Sequence, residues 1–347
     1  MKVLVVAPSW IGDTIMMQPL LSLLKQHETG VHITVLAPDW SAPLLARMAE
    51  VDAVLSNPFP HGAFNFSARR ALGRRVASTN CQRAYVLPNS WKSALVPYFA
   101  GIPERIGYHG EARYFLLNRR RRFDPTTMPR LVDRYAALAG LGATVPTPAP
   151  HLQSSATQQT AAREALGLPP TAPDSRSVVF CPGAEFGPAK RWPARHFAEL
   201  ARNLNATGDH EILLLGSAKD VAVADEIVQL SGGIATNLCG RTSLEQAIDL
   251  IGGSTLVVSN DSGLMHVAAA LDRPLLALYG SSSPEYTPPL SPAAMVISRQ
   301  LSCSPCFKRE CPLGHFDCLN GLSPKVVETA AHSLLTRPTI SIPVRDV

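Results

Sequence analysis

The chain has 347 residues, 46% of them hydrophobic and 17% charged, which excludes a disordered chain and exceeds what one ordinary core holds. No run reaches the roughly 18–20 apolar residues of a membrane-spanning helix. The opening Met1–Pro8 stretch is too short for a signal-peptide core, so a cytoplasmic protein is expected. The net charge of +5 is unevenly spread: residues 1–150 carry 17 Lys/Arg against 9 Asp/Glu, and residues 151–347 carry 15 against 18. The first half therefore expects an anionic partner. Nucleic acid is disfavoured, because no recognised module appears and aromatics make up only 6%. A phosphorylated glycolipid suits the charge.

The chain opens with a strand over Lys2–Ala7, written in Val and Leu without alternation, as parallel strands covered on both faces read. A loop over Pro8–Gly12 follows, then a helical pattern through Ile15, Met16, Leu20, Leu21 and Leu24. Short apolar runs at Ile33–Leu36, Ala53–Leu55 and Ala84–Leu87 predict further strands. Between about Pro146 and Ser177 the text turns to Pro, Ala, Thr, Ser and Gln, with one short helical segment from Gln158 to Leu166. The pattern then restarts, with strands predicted at Val178–Cys181, Ile212–Leu215, Leu256–Ser259 and Leu275–Tyr279. Helices are predicted at Ala194–Asn205, Leu244–Ile251 and Gly263–Leu271. Alternation of this kind predicts two α/β, Rossmann-like, doubly wound parallel-sheet domains facing across a cleft. The expected boundaries are 1–155, a linker over 156–176, and 177–347, with the final helix free to pack back on the first domain. The Gly-x-Gly-x-x-Gly dinucleotide fingerprint is missing from both first βα turns, which disfavours a nicotinamide enzyme.

Three loops carry candidate chemistry. Cys181–Pro193 follows a strand and precedes a helix. Gly183 and Gly187 permit close backbone approach, and Lys190 and Arg191 add cations, which suits a diphosphate. An ordinary Gly/Pro turn with solvated charges reads equally well. Ser259–His266 again joins a strand to a helix. Asp261 or Ser262 could cap that helix, or Ser262 and Gly263 could offer N–H groups to a phosphate. His266 reads as a core residue or as a cleft residue. Pro8–Asp13 places one carboxylate at the end of the first strand. Asp13 is either a favourable charge in a first helical turn or a base for an acceptor hydroxyl.

The Pro8–Asp13 loop, Leu87-Pro88-Asn89-Ser90-Trp91-Lys92-Ser93, Gly101–Gly107, Cys181–Pro193 and Asn260–His266 occur in one order over nearly the whole chain. Together they resemble the ADP-heptose:lipopolysaccharide heptosyltransferases, and Tyr279-Gly280 with Pro288-Pro289 matches the second type of that family better than the first. The resemblance implies a GT-B fold, inverting transfer, no cofactor and no catalytic metal. It implies a general base at Asp13 and a diphosphate-binding lysine at Lys190. It places ADP-heptose on Gly12, Gly183, Lys190, Gly216, Ser217, Asp261, Ser262, Gly263 and His266. The adenosine contacts are not clearly matched at Ser217–Asp220. The second type implies the first heptose of the inner core as acceptor. The rivals are the first type, acting on Kdo, and a non-catalytic sugar-nucleotide or glycolipid binder.

An acceptor of lipid A, Kdo and heptose gives the basic first half a use. Asn89, Ser90, Lys92, Arg69, Arg70 and Arg120 are the expected acceptor residues, with transient contact at the cytoplasmic face of the inner membrane. A merely solvated basic face remains the alternative reading of Arg69–Arg75 and Arg119–Arg122. Cys303, Cys306, Cys311 and Cys318 cluster near His315. Reduced surface thiols are the default reading and a structural zinc site the alternative. Cys81, Cys181 and Cys239 lie in or beside apolar runs and are expected to be buried.

Overall fold

The computed structural model describes residues 1–336 apart from 61, 143, 171–175 and 209. Among the described residues twelve strands form two six-stranded sheets. The first contains β1 (Lys2–Val6), β2 (His32–Ala37), β3 (Ala53–Ser56), β4 (Arg83–Val86), β5 (Glu104–Tyr108) and β6 (Arg119–Arg121). The second contains β7 (Arg176–Cys181), β8 (His210–Leu214), β9 (Ala235–Asn237), β10 (Leu256–Asn260), β11 (Leu275–Tyr279) and β12 (Ala294–Ser298). The sheet orders are β3-β2-β1-β4-β5-β6 and β12-β11-β10-β7-β8-β9, and every pairing is parallel. Counted from its own first strand, the second sheet has the same doubly wound order as the first. The order reverses between β1 and β4 and again between β7 and β10, and such switch points open crevices at the strand C-terminal ends.

The central strands are buried apolar runs: Val3, Leu4, Val5 and Val6 in β1, and Leu256, Val257 and Val258 in β10. The strands with no apolar run are short or polar. β6 is three exposed arginines on a sheet edge, where charge blocks pairing with another chain.

The two halves share one apolar cluster that runs from Val3 and Ile15 to Val257 and Met265. The Ile11–Met16 helix packs on the Gly263–Ala270 helix. Nearby, buried Arg47 donates to Asp249 at 2.8 Å across the same junction.

Two boundary expectations are corrected. The expected linker begins with a ten-residue helix, Ala156–Ala165, capped reciprocally by Ser155 and Gln158. That helix packs on the Leu244–Gly252 helix, and Arg163 pairs with Glu211 at 2.8 Å, so this segment is built into the second half. The rest of the expected linker includes residues 171–175, which lie outside the described residues. The last described helix, Pro324–Leu335, does not pack back on the first half. Its buried Val327, Ala331 and Leu334 join the core beneath the Ala194–Thr207 helix of the second half. Cys81, Cys181 and Cys239 are buried, as expected.

Candidate active site

The Ser9–Asp13 turn at the end of β1 stands between two cavities. One, about 630 Å³, lies in the first half and is lined by Asp13, Asn89, Ser90, Lys92 and Arg69. The other, about 370 Å³, lies between the halves and is lined by Gly12, Gly183, Gly216, Ser217, Ser262 and Gly263. Ser9 and Trp10 border both. Each cavity thus opens at a switch point of one sheet, and Asp13 stands at the junction, in the lining of the larger one.

The loops around the second cavity are locked together. Asn260 accepts from Trp192 N at 3.0 Å and donates to Pro182 O at 2.7 Å, tying the Cys181–Pro193 loop to the end of β10. The Trp192 indole donates to Leu322 O at 2.9 Å. Gly183 is fixed by Asp220, since a Cβ there would lie 2.4 Å from the Asp220 carboxyl carbon. Asp220 itself accepts from Ser217 N and Oγ at 2.9 and 2.8 Å. Gly187 has φ +148° and sits against Arg309 O, so a side chain at that position would be both strained and blocked. This frame aims Lys190 at the junction, where its ammonium meets Asp261 Oδ2 at 2.5 Å.

The electrostatics follow from burial. Asp13 has its pKa raised to about 6: desolvation raises it most, the Lys190 charge opposes this, and Asp261 adds to it. A carboxylate in that range can hold or release a proton near neutrality. His266 is pushed down to about 4, first by burial, so it is neutral at pH 7. Its ring lies against Gly12, where an added Cβ would come within 2.6 Å of His266 Cδ2. Helix-to-helix contact across the halves is what the structure gives His266. A Cβ added at Gly263 would likewise lie 2.7 Å from Ile11 Cβ. Gly12→Ala is expected to force these two helices apart, at a cost of about 1–3 kcal/mol. A fall in the thermal unfolding midpoint together with a lower transfer rate would show it, and an unchanged midpoint would refute the packing argument.

The expected acceptor residues divide. Asn89, Ser90 and Lys92 line the larger cavity with Asp13. Arg113, which is buried, holds their loop by donating to Pro88 O at 2.6 Å. Arg69 also lines the cavity, but its guanidinium is spent on Phe64 O, Ala63 O and the Phe59 ring. It is a buried strut and not part of a solvated basic face. Arg70 is exposed on the same helix and lines neither cavity. Arg120 donates to Tyr114 O at 2.6 Å and borders a separate cavity of about 280 Å³.

Several lining residues escape a reading of the sequence. Tyr286 enters the larger cavity from the second half, held by the Leu131 N–H donating to its carbonyl at 2.9 Å. Arg134 stands over both the Tyr286 and Phe123 rings. Tyr135 and Asn57 also line this cavity, and Asn57 Oδ1 is buried without a partner. No motif or spacing marks these positions. The cysteines Cys303, Cys306, Cys311 and Cys318 line a small cavity with Ala189 and His315. Among the described residues no group of three or more His, Cys, Asp or Glu side chains is arranged to hold a metal ion.

The profile of glycosyltransferase family 9 (heptosyltransferase) matches residues 69–317. The chain is 45% identical to lipopolysaccharide heptosyltransferase 2 of Salmonella typhimurium, over 97% of this chain and 99% of that protein. It is 47% identical to lipooligosaccharide heptosyltransferase 2 of Haemophilus ducreyi, over 86% and 88%. The solved structure of Escherichia coli ADP-heptose lps heptosyltransferase II superimposes with a TM-score of 0.86 at 43% identity, covering 96% of this chain and 98% of that one.

Proposed function

The chain belongs to glycosyltransferase family 9, the heptosyltransferases, and from that premise we propose that it moves heptose from ADP-L-glycero-D-manno-heptose, with inversion, onto the first heptose of the lipopolysaccharide inner core. The observation that carries this reading is the position of Asp13. Its part-buried carboxyl, raised to about 6, stands at the meeting point of a phosphate-suited cavity and a polar, aromatic-lined one.

The donor binds between the halves. Its diphosphate meets the N–H groups of the Ser262–Gly263 turn and the Lys190 ammonium. As ADP departs, negative charge grows on the diphosphate, and these fixed groups stabilise it. The acceptor lies in the larger cavity with its hydroxyl at Asp13, which takes the proton as the C–O bond forms on the opposite face of the sugar. Tyr286 and the Gly263–Ala270 helix limit water, the competing nucleophile, at the junction. The basic first half faces the anionic acceptor, and the enzyme works peripherally at the cytoplasmic face of the inner membrane. Among the described residues no helix is long and apolar enough to cross a membrane.

Truncated acceptors test this directly. ADP release is expected with acceptors ending in heptose and not with those ending in Kdo alone. Activity is also expected to survive EDTA, because Lys190 and backbone dipoles take the divalent ion's place. Turnover confined to Kdo acceptors would overturn the acceptor assignment, and loss on chelation restored by Mg²⁺ would overturn the charge scheme.

A further inference from the structure

We propose that the loop between β5 and β6 docks on an anionic lipid surface, with Phe115 and Tyr114 entering the headgroup region. This rests on the reading that the acceptor is a glycolipid and deepens it by naming the surface that meets the lipid. Phe115 is 89% exposed and Tyr114 55%. Their exposure is not that of a loose loop, because both flanks are pinned. Arg113 is buried and donates to Tyr108 O and Pro88 O at 2.5 and 2.6 Å. Leu116 and Leu117 are buried in the core of the first half, and Leu116 O accepts from Arg105 at 2.7 Å. Glu111 accepts from Trp91 N at 2.6 Å, fixing the start of the loop. The chain between these anchors therefore holds two aromatic rings out in water, and packing within the fold does not account for them.

The surroundings say what covers them. Residues 111–122 hold five arginines against one carboxylate, Glu111. Arg119, Arg120 and Arg122 are exposed, and Arg120 stands over the Tyr114 ring. The patch continues through Arg105, which stands over the half-exposed Tyr98 ring. Aromatic rings set among arginines match the interface of an anionic bilayer, where rings settle at headgroup depth and cations meet phosphate. The position suits the acceptor. Tyr108 and Glu111, at the root of the loop, line both the larger cavity and the small one beside Arg120. A glycolipid whose sugars reach Asp13 would keep its acyl chains near the plane of Phe115.

Vesicle sedimentation without any acceptor is the test, using phosphatidylglycerol/phosphatidylcholine mixtures against phosphatidylcholine alone. The wild-type chain is expected to bind the anionic vesicles more tightly, and less so at high salt. Phe115→Ser is expected to weaken that binding about tenfold or more, since a full ring leaves the apolar phase. Phe115→Trp is expected to retain binding and to show blue-shifted emission when anionic vesicles are added. Transfer to a soluble, delipidated acceptor is expected to be unchanged in Phe115→Ser, while transfer to a vesicle-embedded acceptor slows. Wild-type-like vesicle binding by Phe115→Ser, or unshifted Phe115→Trp emission, would overturn the proposal. So would a concentration-dependent dimer that Phe115→Ser abolishes, which would make a second copy the occupant. If Phe115-dependent vesicle binding holds while no heptose is transferred, the activity reading fails and the docking surface stands.

Discussion

Asp13→Asn is expected to lower transfer by about 10²–10⁴-fold while leaving ADP-heptose binding nearly intact, because the lost group is the proposed base for the acceptor proton. The same substitution is expected to stabilise the fold. Burial raises the Asp13 pKa from 3.8 to about 6, so folding favours the protonated carboxyl. That favourable contribution is complete below the unfolded value near 4 and is lost as pH rises through about 6. Above it, the desolvated charge costs about 3 kcal/mol, the worth of two pKa units. Asparagine cannot ionise and escapes that cost. The variant should therefore melt higher than wild type at pH 8 and about equally at pH 4. Turnover should show the reverse dependence, with the wild-type rate climbing through about pH 6 as the base form appears. Near-normal turnover by a well-folded Asp13→Asn protein would remove Asp13 from the mechanism. Equal melting points at pH 8 would remove the desolvation argument.

How far the sequence announces this arrangement depends on the kind of signal. Central strands are legible because burial on both faces demands an uninterrupted Val/Leu run, as in β1, β10 and β11. β5 reads Glu-Arg-Ile-Gly-Tyr and produces no such run, while the Ala-Met-Val-Ile of β12 is short and only partly buried at the sheet edge. β6 and β9 are three residues each, too short to show any period. The residues around the cavity between the halves are legible for a related reason: glycines and capping residues at strand ends mark a close backbone approach. The larger cavity is assembled from distant segments. Tyr286 and Arg134 carry no spacing that would bring them together, and only the fold does. Arg69 and Arg70 show the limit of reading charge runs. On a helix, adjacent residues point about 100° apart, so one arginine turns inward to brace a loop while its neighbour stays in water.

Lys190 and Asp261 hold the other large effect, and their pairing separates a structural from a chemical role. Lys190 Nζ lies 2.5 Å from Asp261 Oδ2, and the Asp261 side chain is only 5% exposed. Lys190→Ala would leave that carboxylate buried without its cation, a cost of about 3–5 kcal/mol. It would also remove the charge proposed to stabilise departing ADP, slowing transfer by roughly 10²–10³-fold. Adding Asp261→Asn to Lys190→Ala removes the stranded charge, so the double variant is expected to recover most of the stability. Its turnover is expected to stay low. The pH profiles add an independent sign test, because Lys190 lowers the Asp13 pKa and Asp261 raises it. Residual activity of Lys190→Ala should rise with a midpoint above 6, and that of Asp261→Asn with a midpoint below 6. Thermal unfolding, ADP-heptose titration and pH–rate curves on the three variants decide the matter. If turnover returned together with stability in the double variant, Lys190 would be a brace for Asp261, and the cation meeting the diphosphate would have to be sought elsewhere in the Cys181–Pro193 loop, where Arg191 stands 3.7 Å from Asp220.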